Sequence, residues 1–119
     1  MSELVQKLAK GDHTVIFRPI RDDALGELKA AIDRNYVHVK FTETRGGTEL
    51  GFPLDDDHSD LSKGDFEKGK GKVKLAGRLN LDGVPIRCHA EIDLSSMEGK
   101  GHLEILDEDD EDDEEEKAN

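Results

Sequence analysis

Apolar and polar residues alternate along much of this chain, and the clearest alternation changes parity at Asp82-Gly83. Before that dipeptide Val73, Leu75, Leu79 and Leu81 take every second position; after it Val84, Ile86, Cys88, Ala90, Ile92 and Leu94 do so with opposite parity. A period of two is that of a half-buried strand. Asp-Gly suits a two-residue type I′ loop, in which both residues need positive φ and the turn matches the twist of its strands. The spacing therefore predicts a hairpin over Lys72 to Leu94, with Leu81 facing Val84, Leu79 facing Ile86, Gly77 facing Cys88, Leu75 facing Ala90 and Val73 facing Ile92. A slip of one residue would turn every apolar side chain outward, so this register is strongly specified.

Upstream, Ser2 to Lys10 carries Leu4, Val5 and Leu8 on one stripe, with Ser2 as N-cap and Gly11 as the stop. His13 to Arg18 reads as a strand with Val15 and Phe17 inward, ended by Pro19, which has no N–H for a ladder. Asp22 to Arg34 is the main helix: Asp22 or Asp23 caps it, Leu25, Leu28 and Ile32 repeat at helical spacing beside Ala24 and Ala31, and Asn35 suits C′. Gly26 costs that helix about 1 kcal/mol against Ala, a cost explained if a strand crosses close above it. Tyr36 to Thr44 and Thr48 to Leu54 form a second hairpin around Arg45-Gly46-Gly47. An Arg45-Gly46 loop pairs Phe41 with Leu50, Val39 with Phe52 and Val37 with Leu54, and is preferred over a Gly46-Gly47 loop because it pairs more apolar residues.

Asp55 to Gly71 is a long connection rich in charge and glycine, expected to be mobile except where Leu61 and Phe66 pin it to the core. Ser95 to Lys100 makes a turn, and Gly101 to Leu106 a last strand with Leu103 and Ile105 inward.

Charge alters this picture at one end only. Residues 107–119 hold ten Asp/Glu and one Lys, a charge of −9, which leaves −3 of the total −12 to the first 106 residues. The chain reads as a mixed-charge domain over 1–106 carrying a disordered polyanion over 107–119. Ten carboxylates oppose phosphate contacts, and no basic motif interleaved with aromatics offsets them, so direct nucleic-acid binding is disfavoured. The single cysteine, Cys88, excludes an internal disulfide framework and a multi-cysteine zinc site. No apolar run reaches the roughly 18 residues of a membrane span and no secretory signal is visible, so no membrane partner and a cytoplasmic setting are the expectation.

The second face of the Lys72 to Leu94 hairpin carries the candidate chemistry. The register sets Arg78 opposite Arg87, Ala76 opposite His89, Lys74 opposite Glu91 and Lys72 opposite Asp93. Facing like charges destabilise a pair unless an anion lies between them or the side chains splay into water. Arg78, Arg87, His89 and Lys74, with His102 or Lys100 near, therefore form the candidate anion- or partner-binding set. The occupant can be a phosphate, a nucleotide, a partner's carboxylate or the acidic run itself; the alternative is a solvated face with splayed arginines.

Other motifs carry less. Asp55, Asp57 and Asp60 are weak candidates for a divalent cation, since an EF-hand loop begun at Asp55 has Asp60 where Gly is needed and Phe66 where Glu is needed. His13, His38, His58, His89 and His102 show no metal-ligand spacing, and Cys88 and His89 point to opposite faces of a strand, so no nucleophile and base come together. No phosphate-binding or dinucleotide glycine motif is present. Asp93 to Gly99, DLSSMEG, is similar to the DxSxxG segment of PilZ-type cyclic-dinucleotide receptors with one residue more before the glycine, and Arg18 and Arg21 stand far upstream at RxxR spacing; no function is carried over from these two pieces.

The expectation is an α+β domain, mainly antiparallel β, with about six strands in hairpins forming a twisted sheet or partly closed barrel, and one main helix on its apolar face. The expected function is a non-catalytic protein-interaction module whose acidic tail contacts or regulates a basic partner, with no cofactor. The alternatives are a small anion- or nucleotide-binding domain using the Arg78/Arg87 face, and a weak divalent-cation binder.

Overall fold

The computed structural model describes residues 3–18 and 23–106. Ser2 as a cap, Pro19, Arg21, Asp22 and the acidic run 107–119 lie outside the described residues. The elements run α1 (Glu3–Leu8), β1 (His13–Arg18), α2 (Ala24–Asp33), β2 (Val37–Phe41), β3 (Thr48–Phe52), β4 (Gly64–Asp65), β5 (Lys70–Leu81), β6 (Val84–Asp93) and β7 (Glu98–Ile105). Among the described residues, seven strands form one antiparallel sheet in the order β3-β2-β1-β7-β6-β5-β4. Pairing of β1 with β7 joins the first hairpin to the second. The sheet curls until Phe52 and Pro53, at the end of β3, lie against Gly77 in β5, which gives a partly closed barrel.

The β5–β6 hairpin has the register that its turn dictates, from Leu81 opposite Val84 to Lys72 opposite Asp93. Asp82 and Gly83 take φ of 53° and 79°, both positive as a type I′ loop requires. Val73, Leu75, Ile86, Cys88, Ala90 and Ile92 are buried in the core. The inward side chains of β1 and β2, Val15, Phe17, Val37, Val39 and Phe41, join them.

Two short helices contribute to this core, the first within the Ser2 to Lys10 stretch. α1 buries Val5 and Leu8, and α2 buries Leu28 and Ala31. Full burial of one such Leu stabilises by roughly 1.5–3 kcal/mol. Asp23 caps α2 by accepting from the Gly26 amide at 3.1 Å, and Asn35 ends it at φ 61° with its own amide donating to the Ile32 carbonyl. No strand explains Gly26. A Cβ at that position would collide with the capping carboxylate of Asp23, so the glycine makes room for the cap.

Three expectations are corrected. β2 and β3 pair as Val37–Phe52, Val39–Leu50 and Phe41–Thr48, two residues from the preferred register and away from the Gly46-Gly47 alternative. β1 decides this: the Thr42 amide donates to the Thr14 carbonyl and Glu43 accepts from the Thr14 amide, so the chain stays with β1 past Phe41. The Thr44 and Thr48 hydroxyls, 2.6 Å apart, then close a wider loop.

The connection after β3 is pinned along the edge of β5 by more than its apolar residues. The Asp55 amide donates to Ala76 O at 2.7 Å, the Ser59 hydroxyl bonds both the N–H and the C=O of Ala76, and Asp60 bridges Lys74. Leu61 and Phe66 do pack on the core, and β4 pairs with the start of β5. Lastly, β7 begins at Glu98, and Ile105 is 37% exposed where the sheet runs out, while Leu106 is buried with its amide on Pro85 O. No helix among the described residues is long and apolar enough to cross a membrane.

Candidate functional site

The face of β5, β6 and β7 turned away from the core presents side chains in rungs. Arg78, Arg87 and Glu104 share one, Ala76, His89 and His102 the next, and Lys74, Glu91 and Lys100 the third. Arg78 and Arg87 are thus direct neighbours, as the turn demands. Neither splaying into water nor a foreign anion accounts for Arg87, which is only 5% exposed. Its Nη1 donates to Glu104 Oε1 at 3.0 Å, and its Nε lies 3.4 Å from Asp55 Oδ2 in an ion pair without hydrogen-bond alignment. The anions that relieve the like-charge rung are the protein's own carboxylates.

His89 continues the network. Its Nε2 stands 2.9 Å from Glu104 Oε1, so the neutral ring carries its proton there, and its buried Nδ1 has no hydrogen-bond partner. The ring stacks on His102 at 4.8 Å and meets the edge of His58 at 6.4 Å. His58 Nδ1 bonds Asp55 Oδ2 at 2.9 Å, and His102 Nδ1 lies 3.6 Å from Asp12. Burial lowers the His89 pKa against the opposing pull of Glu104. Burial also works to raise the Glu104 carboxyl, but hydrogen bonds from His89 and Arg87 outweigh it and hold that group below its usual range. His89 is therefore neutral and Glu104 ionised at pH 7.

Lys74 stands apart from the arginines. With His89, Glu91, Lys100 and His102 it borders a shallow depression of about 210 Å³ whose cations are balanced by Glu91 and Asp12. The three aspartates do not converge on a cation. Asp55 serves Arg87, His58 and the Asp57 amide, and Asp60 accepts from the Ser62 amide and hydroxyl. Among the described residues no group of three His, Cys, Asp or Glu side chains is placed to hold a metal. Cys88 is sealed in the core, where burial pushes its thiol up to about 12. In DLSSMEG, Asp93 accepts from the Ser95 amide and hydroxyl, which makes the motif a tight turn, and Arg18 faces Glu49.

This face is a network of matched charges without a nucleophile. It can hold a surface in shape and meet another surface, but it presents no base beside a reactive hydroxyl or thiol. The family model described as core binding factor beta subunit matches residues 2–119. The chain belongs to the core binding factor beta subunit family. That family consists of non-enzymatic subunits that work by binding a partner protein, so this chain is a protein-interaction module and not an enzyme. No curated protein matches it.

Asp55, His58 and Glu104 are the residues of this face that alternation alone did not assign, whereas His102 stands beside His89 as expected. A signal for Glu104 existed. Aligning Gly99, Gly101 and Leu103 as the inward set of β7 against Ile92, Ala90 and Cys88 puts Glu104 opposite Arg87. Asp55 carried no comparable signal, because its position depends on a connection held by polar side chains.

Proposed function

We propose that the chain is a non-catalytic pairing subunit in which the folded body supplies the specific surface and the acidic run at 107–119 draws in a basic region of the partner. The supporting observation is the division of charge, −9 in those residues against −3 in the first 106. Such a field steers association and is screened beyond about 10 Å at 0.1 M salt, so it acts on the rate of encounter more than on the lifetime of the complex. Leu106, the last described residue, is tied to Pro85 near the hairpin tip and borders a depression shared with Arg78 and Asn80. Ile105 lies half-exposed beside it. A cytoplasmic setting accompanies this reading, in keeping with a single cysteine and the absence of a visible secretory signal in the sequence.

The test replaces the ten carboxylates of the run by their amides in the full chain. Association with the cross-linked and purified cellular partner is then followed at low and high salt. Low-salt association should slow by about tenfold or more while dissociation changes little, and the difference should vanish at high salt. Equal association rates at low salt would remove the acidic run from the mechanism.

A further inference from the structure

We propose that the outer edge of β3 receives an extended segment of the partner as an added strand, and that apolar and basic residues alternate in that segment. The inference rests on the reading of the chain as a pairing subunit and names the part of the folded body that does the pairing. It does not draw on the acidic run.

The backbone carries it first. The Thr42 amide donates to the Thr14 carbonyl directly opposite, so Val37, Val39 and Phe41 turn their N–H and C=O groups from β1 toward β3. Thr48, Leu50 and Phe52 are their partners, which leaves the backbone of Glu49 and Gly51 facing the other way. β3 is the last strand on that side, and among the described residues nothing bonds the Glu49 or Gly51 backbone. Two donors and two acceptors at this spacing are a template for one more strand. The opposite margin of the sheet offers less, since β4 is two residues long.

The seam of the barrel supplies an apolar floor. The strap of residues 55–60 occupies the edge of β5, where the Asp55 amide bonds Ala76 and Asp60 bonds Lys74. β3 precedes the strap and touches β5 where Phe52 and Pro53 meet Gly77. From there to the hairpin tip β3 and β5 share no ladder, and Asn80 turns an unbonded N–H and C=O away from β6. On the inward side of this stretch Leu79, Leu81 and Val84 are only partly buried, while Leu75, Ile86 and Cys88 are sealed. Inward side chains of an added strand would cover them.

Charge selects the occupant. Glu49 is the outward side chain of this edge, 47% exposed, and Arg18 reaches it only at 3.5 Å from across β2. A lysine or arginine opposite Glu49, with an apolar residue next to it opposite Leu50, satisfies both faces of the edge. A second copy does not, because it would bring one acidic edge to another in chains that each carry −12.

The experiment adds a short acetylated peptide of alternating Lys and Val to the full chain and follows amide hydrogen exchange residue by residue. At saturation the Glu49 and Gly51 amides should exchange about tenfold or more slowly, whereas Thr48 and Leu50, already bonded to β2, should change little. Attraction of a cation to a polyanion has no such alternation. The same peptide N-methylated at the residues whose N–H groups would face β3 keeps every charge and should bind about tenfold more weakly. Glu49→Gln keeps the edge and removes its charge, so it should weaken the peptide several-fold while the alternating protection remains.

Equal binding of the two peptides would overturn the proposal. So would unchanged exchange at Glu49 and Gly51 with protection confined to 107–119, a result that leaves the acidic run in place and removes only the edge. Protection of those two amides that depends on the concentration of the chain alone would give the edge to a second copy and overturn it as well. The alternating protection should persist when the ten carboxylates of the run are amidated, so failure of the run and failure of the edge show separately.

Discussion

His89 shows how one buried ring ties the outer face to pH. It is neutral in the fold because burial lowers its pKa from 6.5, despite Glu104 at 2.9 Å, and His102 and Lys74 add to the lowering while His58 closes over the remaining side. The unfolded chain therefore binds a proton at this position over a range in which the folded chain does not. By linkage, stability falls as pH drops through 6.5 and levels off below the folded value. Carboxylates add a second decline. Glu43, held by the Thr14 amide and by His13, is pushed down from 4.5 to about 2, so what it contributes is present above 4.5 and is lost between 4.5 and 2. Urea midpoints measured across pH should show both steps. His89→Gln should erase the upper step and leave the lower one; an upper step that survives would place its origin elsewhere.

Elements differ in how far their geometry could be read from sequence, and the difference has physical causes. The β5–β6 hairpin was legible because alternation and turn chemistry specify the same register independently. The β2–β3 hairpin was legible as a hairpin but not in its register, since its loop of 42–47 is held by Thr14, Glu43 and a pair of threonine hydroxyls that belong to tertiary structure. The arginine rung was legible for the same reason as its hairpin, while the carboxylates that complete it came from β7 and the strap. At this scale two substitutions make contrasting tests. Gly83→Ala places a side chain in open space at φ 79°, so its cost is the backbone penalty alone, about 1 kcal/mol by chemical denaturation. Asp23→Ala removes the oxygen that receives the Gly26 amide and should also cost about 1 kcal/mol, with the loss of amide protection confined to the first turn of α2.

For the molecule as a whole, Gly77 is the position on which closure depends. It faces Cys88 across the hairpin, and a Cβ there would run into the Pro53 carbonyl and come within 2.5 Å of the Phe52 ring. A backbone oxygen cannot swing aside as a flexible side chain can, so Gly77→Ala must push the end of β3 away from β5. The segment that follows, with Asp55 on Ala76 and Asp60 on Lys74, would be drawn off with it. The expected loss is about 1–3 kcal/mol, in the range of an overpacked core. Its spatial signature matters more than its size: amide exchange should quicken at Asp55, Asp60 and Lys74, whereas Gly83→Ala should leave those amides unchanged. Because Asp55 is carried by the displaced segment, Gly77→Ala should also weaken the Asp55–Arg87 contact without altering any charge. A Gly77→Ala chain with wild-type stability and exchange would mean that the two halves of the sheet do not meet at this point, and the strap would lose the support that holds it over Arg87.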